Sequence, residues 1–442
     1  MKKKTFLGVG ENVYEELLDN GIKVYLYNTD KTKNFYISIS VKYGANVTKY
    51  KKNNKITEVI PGSAHFLEHK VMALSENKEV SKRINELGSL ANAWTNYYGT
   101  NYNIFGSINL IENLRLLLDI FYNTNINEKC VNEEKGIIGE EIDMYKDQIN
   151  YFMFHELFNN LFEYSYVNNT VVGERSDIEK ITASSLNKIY NDYYIPNNTF
   201  IIVCGNFDNN EVLNVIKDYM SKLNLKKKEL PKRIKTKQKD KVSISYQEIQ
   251  KDIEDVRVKY AIKIPRKNFK YKNDLFLKYY LGMIFNSNFS PSSKLYEEYK
   301  NENIMINMNS SVYKVDDYIV ITISAFCKDS HIFLEKLSKD IKSISIDKKT
   351  FERKKKLFLR SFILDFDNLE DVEYNICESI LMDNKVNYNE YNDILNMNYN
   401  TLMEILSEIS YDNISIIKTI KWFIDITFFI ELLIIHAIIS IE

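Results

Sequence analysis

The order of strands and helices predicted for the first half of the chain recurs in the second half. In the first half, the periodicity of apolar residues predicts antiparallel strands at 22–28 and 35–45, a helix at 64–72, a hairpin at 89–107, helices at 108–123, 132–151 and 153–194, a strand at 194–208 and a helix at 209–223. In the second half, it predicts strands at 242–247 and 254–264, a helix at 273–287, a hairpin at 305–327, helices at 330–345, 349–385 and 399–409, and a strand at 413–418. This recurrence indicates an internal duplication.

The duplication predicts an α/β (α+β) fold of two homologous units, each an antiparallel sheet with helices packed on one face. We place the first unit at residues 1–225 and the second at 242–418, joined by a lysine-rich linker at 226–241. Such a lysine run could also bind an acidic partner, but a solvated linker is the interpretation we adopt. A hydrophobic tail follows at 419–442.

The segment HFLEH at 65–69 contains two of the five histidines. Residues four apart share one face of a helix, so His65 and His69 would present two imidazoles to one point, with Glu68 beside them. Imidazole is a good zinc ligand, and a catalytic zinc site takes three protein ligands and leaves one position for water. Glu68 would then be the general base that takes a proton from a metal-activated water. The alternative is a helix whose histidines make ordinary hydrogen bonds. The second unit lacks the motif, which predicts one zinc per chain.

The third ligand should come from the predicted helix at 132–151, where four glutamates compete: Glu133, Glu134, Glu140 and Glu141. At 3.6 residues per turn, the inward face carries Glu134, Ile137, Ile138, Glu141 and Tyr145, and another face carries Glu133, Gly136, Glu140, Asp143 and Asp147. A carboxylate among apolar residues is costly unless a cation compensates it. We therefore predict that Glu141 binds the metal and that Glu134, two turns earlier, orients a ligand or the water.

Three segments carry a resemblance to a known family. They are HFLEH, whose HxxEH order inverts the HExxH order, SLANAWTNYYGTNY at 89–102, and EEKGIIGEEIDMY at 133–145. In these segments the chain resembles the insulinase/pitrilysin (inverzincin) family of zinc metallopeptidases, and within it the half-length bacterial processing-peptidase-like branch. The family pattern of two glutamates seven apart, the later one binding zinc, falls on Glu134 and Glu141.

The resemblance implies that the chain forms half of a clamshell chamber and pairs with itself, as a homodimer, or with a related subunit, as a heterodimer. It also implies that the strand containing Asn92 and Ala93 is a sheet edge that binds the substrate backbone as an added strand. For Trp94 itself we favour packing in the core. The implied activity is that of a zinc-dependent endopeptidase acting on peptides or short unfolded segments.

One departure from the family lies in the second half of the chain. Many members supply an arginine and, seven residues later, a tyrosine that hold the substrate carbonyl and the oxyanion. Here LYEEYKNENIMINMN at 295–309 places Tyr299 and Ile306 at those positions, and Lys300 is the nearest cation. This departure favours one alternative, a metal-binding but non-hydrolytic subunit of a heterodimeric peptidase. A further alternative is a maturation peptidase for a ribosomally made peptide.

Charge and cysteine content bear on partners and location. A net charge of −1 gives no broad electrostatic basis for binding nucleic acid or an acidic membrane surface. Four cysteines without paired spacing fit a reducing compartment, and the apolar run at 5–9 is too short for a signal peptide, so we predict a cytoplasmic protein. The segment 422–441 has the length of a membrane span, but Asp425, Glu431 and His436 lie inside it, so a membrane helix is not favoured.

Overall fold

The structure is a computed structural model that describes residues 1–72 and 78–421. The hydrophobic segment 422–441, for which membrane contact was considered, lies outside the described residues. Among the residues that are described, no helix has both the length and the apolar character needed to cross a membrane.

The described residues contain both strands and helices. The strands are β1 Lys2–Thr5, β2 Asn12–Leu17, β3 Lys23–Asn28, β4 Phe35–Val41, β5 Lys49–Lys52, β6 Lys55–Glu58, β7 Ser89–Thr95, β8 Thr100–Gly106, β9 Thr199–Gly205, β10 Lys232–Arg233, β11 Tyr246–Lys251, β12 Val256–Pro265, β13 Met305–Val315, β14 Tyr318–Cys327 and β15 Ile414–Lys421. The helices are α1 Ser63–Met72, α2 Lys78–Glu86, α3 Leu110–Tyr122, α4 Glu128–Asp147, α5 Ile149–Leu161, α6 Arg175–Ile178, α7 Ala183–Tyr193, α8 Asn209–Leu223, α9 Asp274–Asn288, α10 Lys294–Asn301, α11 Ser330–Asp340, α12 Lys348–Leu364, α13 Leu369–Asp383, α14 Glu390–Leu395 and α15 Tyr399–Ser407.

The chain divides into two compact units. The first contains Met1–His155, Phe162–Gln238 and Lys348–Tyr399, and the second contains Glu156–Leu161, Lys239–Asp347 and the residues from Asn400 onward. This division differs from the predicted boundaries, because 348–399 was placed in the second unit. The physical reason is that α13 packs against β4 and β9 of the first sheet, a contact between distant parts of the chain that periodicity does not show.

The first unit is built around a seven-stranded sheet with the order β1-β2-β3-β9-β4-β8-β7. Its neighbouring strands are antiparallel except for β3 and β9, which run parallel. The strands predicted at 22–28 and 35–45 form, and they point in opposite directions, but β9 lies between them. Their periodicity identified both strands and could not identify the strand inserted between them. The predicted hairpin at 89–107 is β7 and β8.

Alternate residues of β4 face the two sides of this sheet. Ile37 and Ile39 belong to the apolar core, together with Phe66 and Leu67 of α1. Ser38 faces the opposite side, where its hydroxyl donates to Glu373 of α13. The α/β fold built on largely antiparallel sheets is confirmed, but the first sheet carries helices on both faces rather than on one. The added helix is α13, which encloses polar side chains as well as apolar ones.

The second unit has a five-stranded sheet with the order β11-β15-β12-β14-β13, in which only β11 and β15 run parallel. The strand β12, the long hairpin and α9 follow the predicted second copy closely, whereas β11 begins at Tyr246 and so lies four residues later than the predicted strand at 242–247. A buried lysine, Lys263 on β12, donates its ammonium to the backbone carbonyls of Leu161, Lys239 and Lys241 at 2.7, 2.8 and 3.3 Å. This lysine fixes the start of the second unit onto its sheet.

Candidate active site

Helix α1 brings the HFLEH segment onto the first sheet. Gly62 precedes it with a φ of +83°, and a side chain there would meet the carbonyl oxygen of Val172 at 2.6 Å, so this turn requires glycine. Phe66 and Leu67 are fully buried in the core and fix the orientation of the helix. His65 and Glu68 are thereby directed to the cavity described below.

Three side chains converge as the sequence predicted. Nε2 of His65 and Nε2 of His69 each lie 3.5 Å from Oε2 of Glu141. One ligand atom from each of the three residues lies within 4.8 Å of the others, and no other such cluster of potential metal ligands occurs in the described part of the chain. Two imidazole nitrogens and one carboxylate oxygen form the donor set of many catalytic zinc sites, so the residues present fit a zinc ion.

Glu134 makes the contact expected of an orienting residue. Its Oε1 lies 2.9 Å from Nδ1 of His69, and its side chain is only 1% exposed. This contact leaves Nε2 as the nitrogen that faces Glu141. The other oxygen of Glu134 lies 2.7 Å from the ammonium of Lys70, a buried partner that the sequence reasoning missed.

The charges around the cluster favour a cation at its centre. Hydrogen bonds with His65 and His69 hold the pKa of Glu141 well below its usual range. Burial alone would lower the pKa of His69, but Glu134 and Glu141 outweigh it and raise that pKa to about 9. The carboxylates of Glu134 and Glu141 therefore place negative charge beside the imidazoles, and this charge attracts a cation.

Glu68 lies beside this cluster without belonging to it. The hydroxyl of Thr95, on β7, donates to Oε2 of Glu68 at 2.5 Å. Burial raises the pKa of Glu68, while the neighbouring histidines and the Thr95 hydrogen bond oppose that rise. A carboxylate in this position can accept a proton, and Thr95 keeps it in a fixed orientation. The alternation of β7 places Thr95 and Ala93 on one face, but nothing in the sequence linked Thr95 to Glu68.

The burial of the residues on α4 agrees only partly with the predicted inward face of this helix. Glu134 and Ile138 are buried, and Glu141 is half-buried with its carboxylate in the cluster. Glu133 and Glu140 are exposed, as expected for solvated residues. The placement of Ile137 on the inward face was wrong, because its side chain is 45% exposed. The buried residues of α4 are Val131, Glu134, Ile138, Gly139 and Ile142.

A cavity of about 450 Å³ opens beside the cluster, within the first unit. His65, Glu68 and Glu141 contribute to its wall, and aromatic side chains supply much of the remainder, namely Trp94, Tyr97, Tyr145, Tyr151 and Phe154. The preference for Trp94 in the core was wrong: its ring is half-buried, lines the cavity and lies 6.0 Å from the ring of Tyr374. An aromatic wall beside polar groups suits an apolar peptide side chain.

The strand β7 is the last strand of the first sheet, with β8 as its neighbour and no strand on its other side among the described residues. Ala93 lines the cavity, whereas Asn92 is exposed, lies outside the cavity lining, and accepts a hydrogen bond from the backbone N–H of Ala93 at 2.9 Å. An unpaired strand at this position can accept an extended peptide through main-chain hydrogen bonds.

The positions at which the family has arginine and tyrosine lie in the second unit. Tyr299 is fully buried, and its hydroxyl donates to Asp340 at 2.7 Å. Ile306 is 39% exposed and Lys300 is exposed. The Tyr299 hydroxyl is therefore engaged inside its own unit.

The sequence of this chain matches the profiles of a known protein family. A profile described as insulinase (peptidase family M16) matches residues 24–175, and a profile described as peptidase M16 inactive domain matches residues 180–358. The chain is similar to the uncharacterized zinc protease YmfH of Bacillus subtilis, with 28% identity over 291 residues that cover 65% of this chain and 67% of that protein.

Two further similarities are found, one to a sequence relative and one to a solved structure. A probable mitochondrial-processing peptidase subunit beta of Arabidopsis thaliana is 24% identical over 211 residues, which cover 47% of this chain but only 38% of that protein. A crystal structure described as a putative M16-like peptidase from Alicyclobacillus acidocaldarius superposes with a TM-score of 0.85, covering 95% of this chain and 100% of that chain at 19% identity, and shows the fold alone. The two profiles together span most of the sequence and confirm the resemblance, so the chain belongs to the insulinase family of peptidases, family M16.

Proposed function

We propose that this chain is a zinc-dependent endopeptidase that holds one zinc ion through His65, His69 and Glu141. The observation that supports the proposal is the convergence of these three ligand atoms within 4.8 Å of one another. Two of the ligands come from α1 and the third from α4, so the site depends on the packing of two helices. The relatives named as zinc proteases support the same assignment.

The reaction would be hydrolysis of a peptide bond by water. When bound, zinc supplies the Lewis acidity that polarises the peptide carbonyl and lowers the pKa of water. Glu68 accepts the proton of the attacking water on its carboxylate and later donates it to the leaving amine. Thr95 holds the Glu68 carboxylate through its hydroxyl and keeps it directed at the cavity. Glu134 fixes the ring of His69.

The substrate would be a peptide or a short unfolded segment. We infer that it binds in extended form along β7, with the backbone of Asn92 and Ala93 forming main-chain hydrogen bonds. Its side chain next to the cleaved bond would enter the cavity lined by Trp94, Tyr145 and Tyr151. This mode of binding selects for an extended backbone more than for a particular sequence.

Partners and location remain predictions. We propose that the chain pairs with a second copy or with a related subunit, and the Arabidopsis relative, which is named as a subunit, supports such pairing. The cytoplasm as location is supported by free thiols at Cys130, Cys204, Cys327 and Cys377.

The test compares Glu68→Gln with His65→Ala in the purified chain. We expect Glu68→Gln to keep zinc and lose nearly all peptide cleavage, because the amide keeps the size of the side chain but cannot accept the proton. His65→Ala should lose zinc as well as activity. Glu140→Gln is the matched control, since this exposed glutamate on α4 lies next to the ligand in sequence and contacts no metal ligand by our assignment. Zinc content and cleavage of a peptide library measure both effects.

The same experiment separates the enzyme from the non-hydrolytic subunit favoured by Tyr299 and Ile306. A chain that binds zinc but cleaves no peptide, alone or mixed with a related subunit, would be the non-hydrolytic subunit. Full activity of Glu68→Gln would contradict the role of Glu68 as the base.

A further inference from the structure

We propose that Lys70 is a positioning residue for the metal site, which holds Glu134 so that Glu134 in turn holds His69 with Nε2 toward the metal. The inference rests on the proposed zinc site. It adds a residue that lies outside the ligand set and follows the HFLEH segment directly in sequence.

The contacts of Lys70 define its position closely. Its ammonium lies 2.7 Å from Oε2 of Glu134 and donates to the backbone carbonyl oxygen of Cys130 at 3.1 Å. The side chains of Lys70 and Glu134 are each 1% exposed, so water does not replace either partner. A buried lysine with this pairing is uncommon, because an ammonium leaves water only when its charge is compensated.

One carboxylate is thus held by two consecutive residues of α1. Oε1 of Glu134 contacts Nδ1 of His69 at 2.9 Å, and Oε2 contacts the Lys70 ammonium. A carboxylate fixed at both oxygens cannot rotate about its terminal bond without losing one contact. The Glu134 plane, and with it the direction offered to the His69 ring, is therefore set by Lys70.

The second contact of Lys70 anchors its ammonium to α4, the helix that supplies Glu134. Cys130 lies one turn before Glu134 on α4, so the ammonium bridges two successive turns of that helix. The same helix supplies Glu141, whose Oε2 lies 3.5 Å from Nε2 of His69. The Cys130 contact therefore holds the Lys70 ammonium in the position from which it fixes Glu134.

Removing the ammonium would take away the contact at Oε2 of Glu134 and keep the contact of Oε1 with His69. Loss of groups that orient a metal ligand typically weakens metal binding by about 10- to 100-fold. We expect Lys70→Met, which keeps the length and apolar stem of the side chain, to weaken zinc binding within this range.

A double-mutant cycle on zinc affinity distinguishes this role from simple packing. The variants are Lys70→Met, Glu134→Gln and the pair combined, with zinc dissociation constants measured by chelator competition. Because Lys70 acts through Glu134, the double variant should bind zinc about as tightly as Glu134→Gln alone. Cobalt loaded in place of zinc gives a second readout: the visible absorption of Lys70→Met should differ from that of the wild type, since the His69 ring changes orientation.

Lys263→Met is the matched control, because Lys263 is a second fully buried lysine and lies in the other unit. It should bind zinc with wild-type affinity and give the wild-type cobalt spectrum. Should Lys70→Met fail to fold, the double variant decides, since it removes both buried charges together. Binding at the affinity of Glu134→Gln would support the inference.

Two results would overturn the inference. One is wild-type zinc affinity in folded Lys70→Met, and the other is an additive cycle, in which Lys70→Met weakens binding equally with and without Glu134. Neither result affects the proposed peptidase function, which depends instead on the loss of cleavage in Glu68→Gln.

Discussion

The carboxyl group of Glu373 is enclosed between α13 and the outer face of the first sheet. The residue is 1% exposed, accepts a hydrogen bond from the Ser38 hydroxyl, and accepts another from the amide of Asn101 at 3.0 Å. Within the part of the chain that the structure describes, no cation compensates this carboxylate. Burial therefore raises the pKa of Glu373 to about 7, against an ordinary value of 4.5.

Other titratable groups lie around Glu373. They are Glu370 on the same helix, Tyr36 on β4, Cys204 on β9 and Cys377 one turn further along α13. Burial raises the pKa of Tyr36 and of both thiols above the ordinary range, so these three stay neutral. Glu370 raises the pKa of Glu373 further by its charge. Glu373 is thus the group that titrates inside this layer.

The raised pKa of Glu373 makes the folded protein less stable as the pH rises. Between about pH 4.5 and about pH 7 the folded protein keeps the Glu373 proton while the unfolded chain has lost it, so unfolding releases a proton. Stability from this residue is greatest below pH 4.5 and is lost as the pH rises through about 7. At about 1.4 kcal/mol per pH unit, the difference between the two pKa values corresponds to about 3 kcal/mol.

The substitution Glu373→Gln removes this dependence, because the amide does not titrate and its oxygen can still accept from Ser38 and Asn101. We expect the variant to be close to the wild type in stability at about pH 5 and more stable by about 2–3 kcal/mol at about pH 8. Urea unfolding followed by Trp94 fluorescence is the assay. Trp94 lies 6.0 Å from Tyr374 on α13 and reports this layer directly. A Trp422→Phe background makes Trp94 the sole tryptophan, since the chain has two.

Glu370→Gln is the control, since it removes a neighbouring exposed carboxylate from the same helix. It should lower the pKa of Glu373 slightly and leave most of the pH dependence in place. A stability difference between Glu373→Gln and the wild type that stays the same at both pH values would refute the reasoning. Glu373 would then be ionised in the folded protein, with an unrecognised partner.

Two further predictions concern other parts of the chain. Because β7 is an open edge, unrelated flexible peptides of similar length should compete with one another for cleavage, and rapid cleavage of a compact folded protein but not of its denatured form would contradict binding along β7. Lys263→Met leaves the carbonyls of Leu161, Lys239 and Lys241 without their ammonium donor, so we expect the second unit to lose about 1–3 kcal/mol of stability in chemical unfolding; an unchanged midpoint would show that Lys263 contributes no net stability.

The local parts of the site could be predicted from the sequence because helical spacing determines them. His65, Glu68 and His69 lie on one short helix, and the same periodicity placed Glu134 and Glu141 on one face of α4. A buried carboxylate on an apolar stripe was the signal for Glu134. That signal also exists for Glu373, which follows Leu369 and precedes Cys377 and Ile380 on the buried face of α13. No histidine lies near Glu373 in the sequence, so the pattern around it does not predict a metal ligand.

Contacts between elements far apart in the chain could not be predicted in this way. Lys70 and Thr95 were missed because neither residue has a distinctive spacing: a lysine after a histidine and a threonine on a strand are common at the surface. Their roles arise only when α4 and β7 pack beside α1. Periodicity states which face of an element is buried and leaves open which element covers it.

Contacts between α13 and the first sheet could not be predicted from periodicity, and they bear on the proposed function. Asn96, in the turn that joins β7 to β8, donates to Glu378 of α13 at 2.9 Å, and its own oxygen accepts from the backbone N–H groups of Tyr98 and Gly99. One turn earlier on α13, Tyr374 packs near Trp94 on β7. The hairpin that presents the open edge is therefore held from behind by a helix 282 residues further along the chain from Asn96. In the proposed mode of binding, a peptide added to β7 is cleaved only if the strand stays in register with the proposed metal ligands, and the contacts from α13 hold the hairpin in place. The segment predicted to belong to the second copy thus supports the candidate substrate edge of the first.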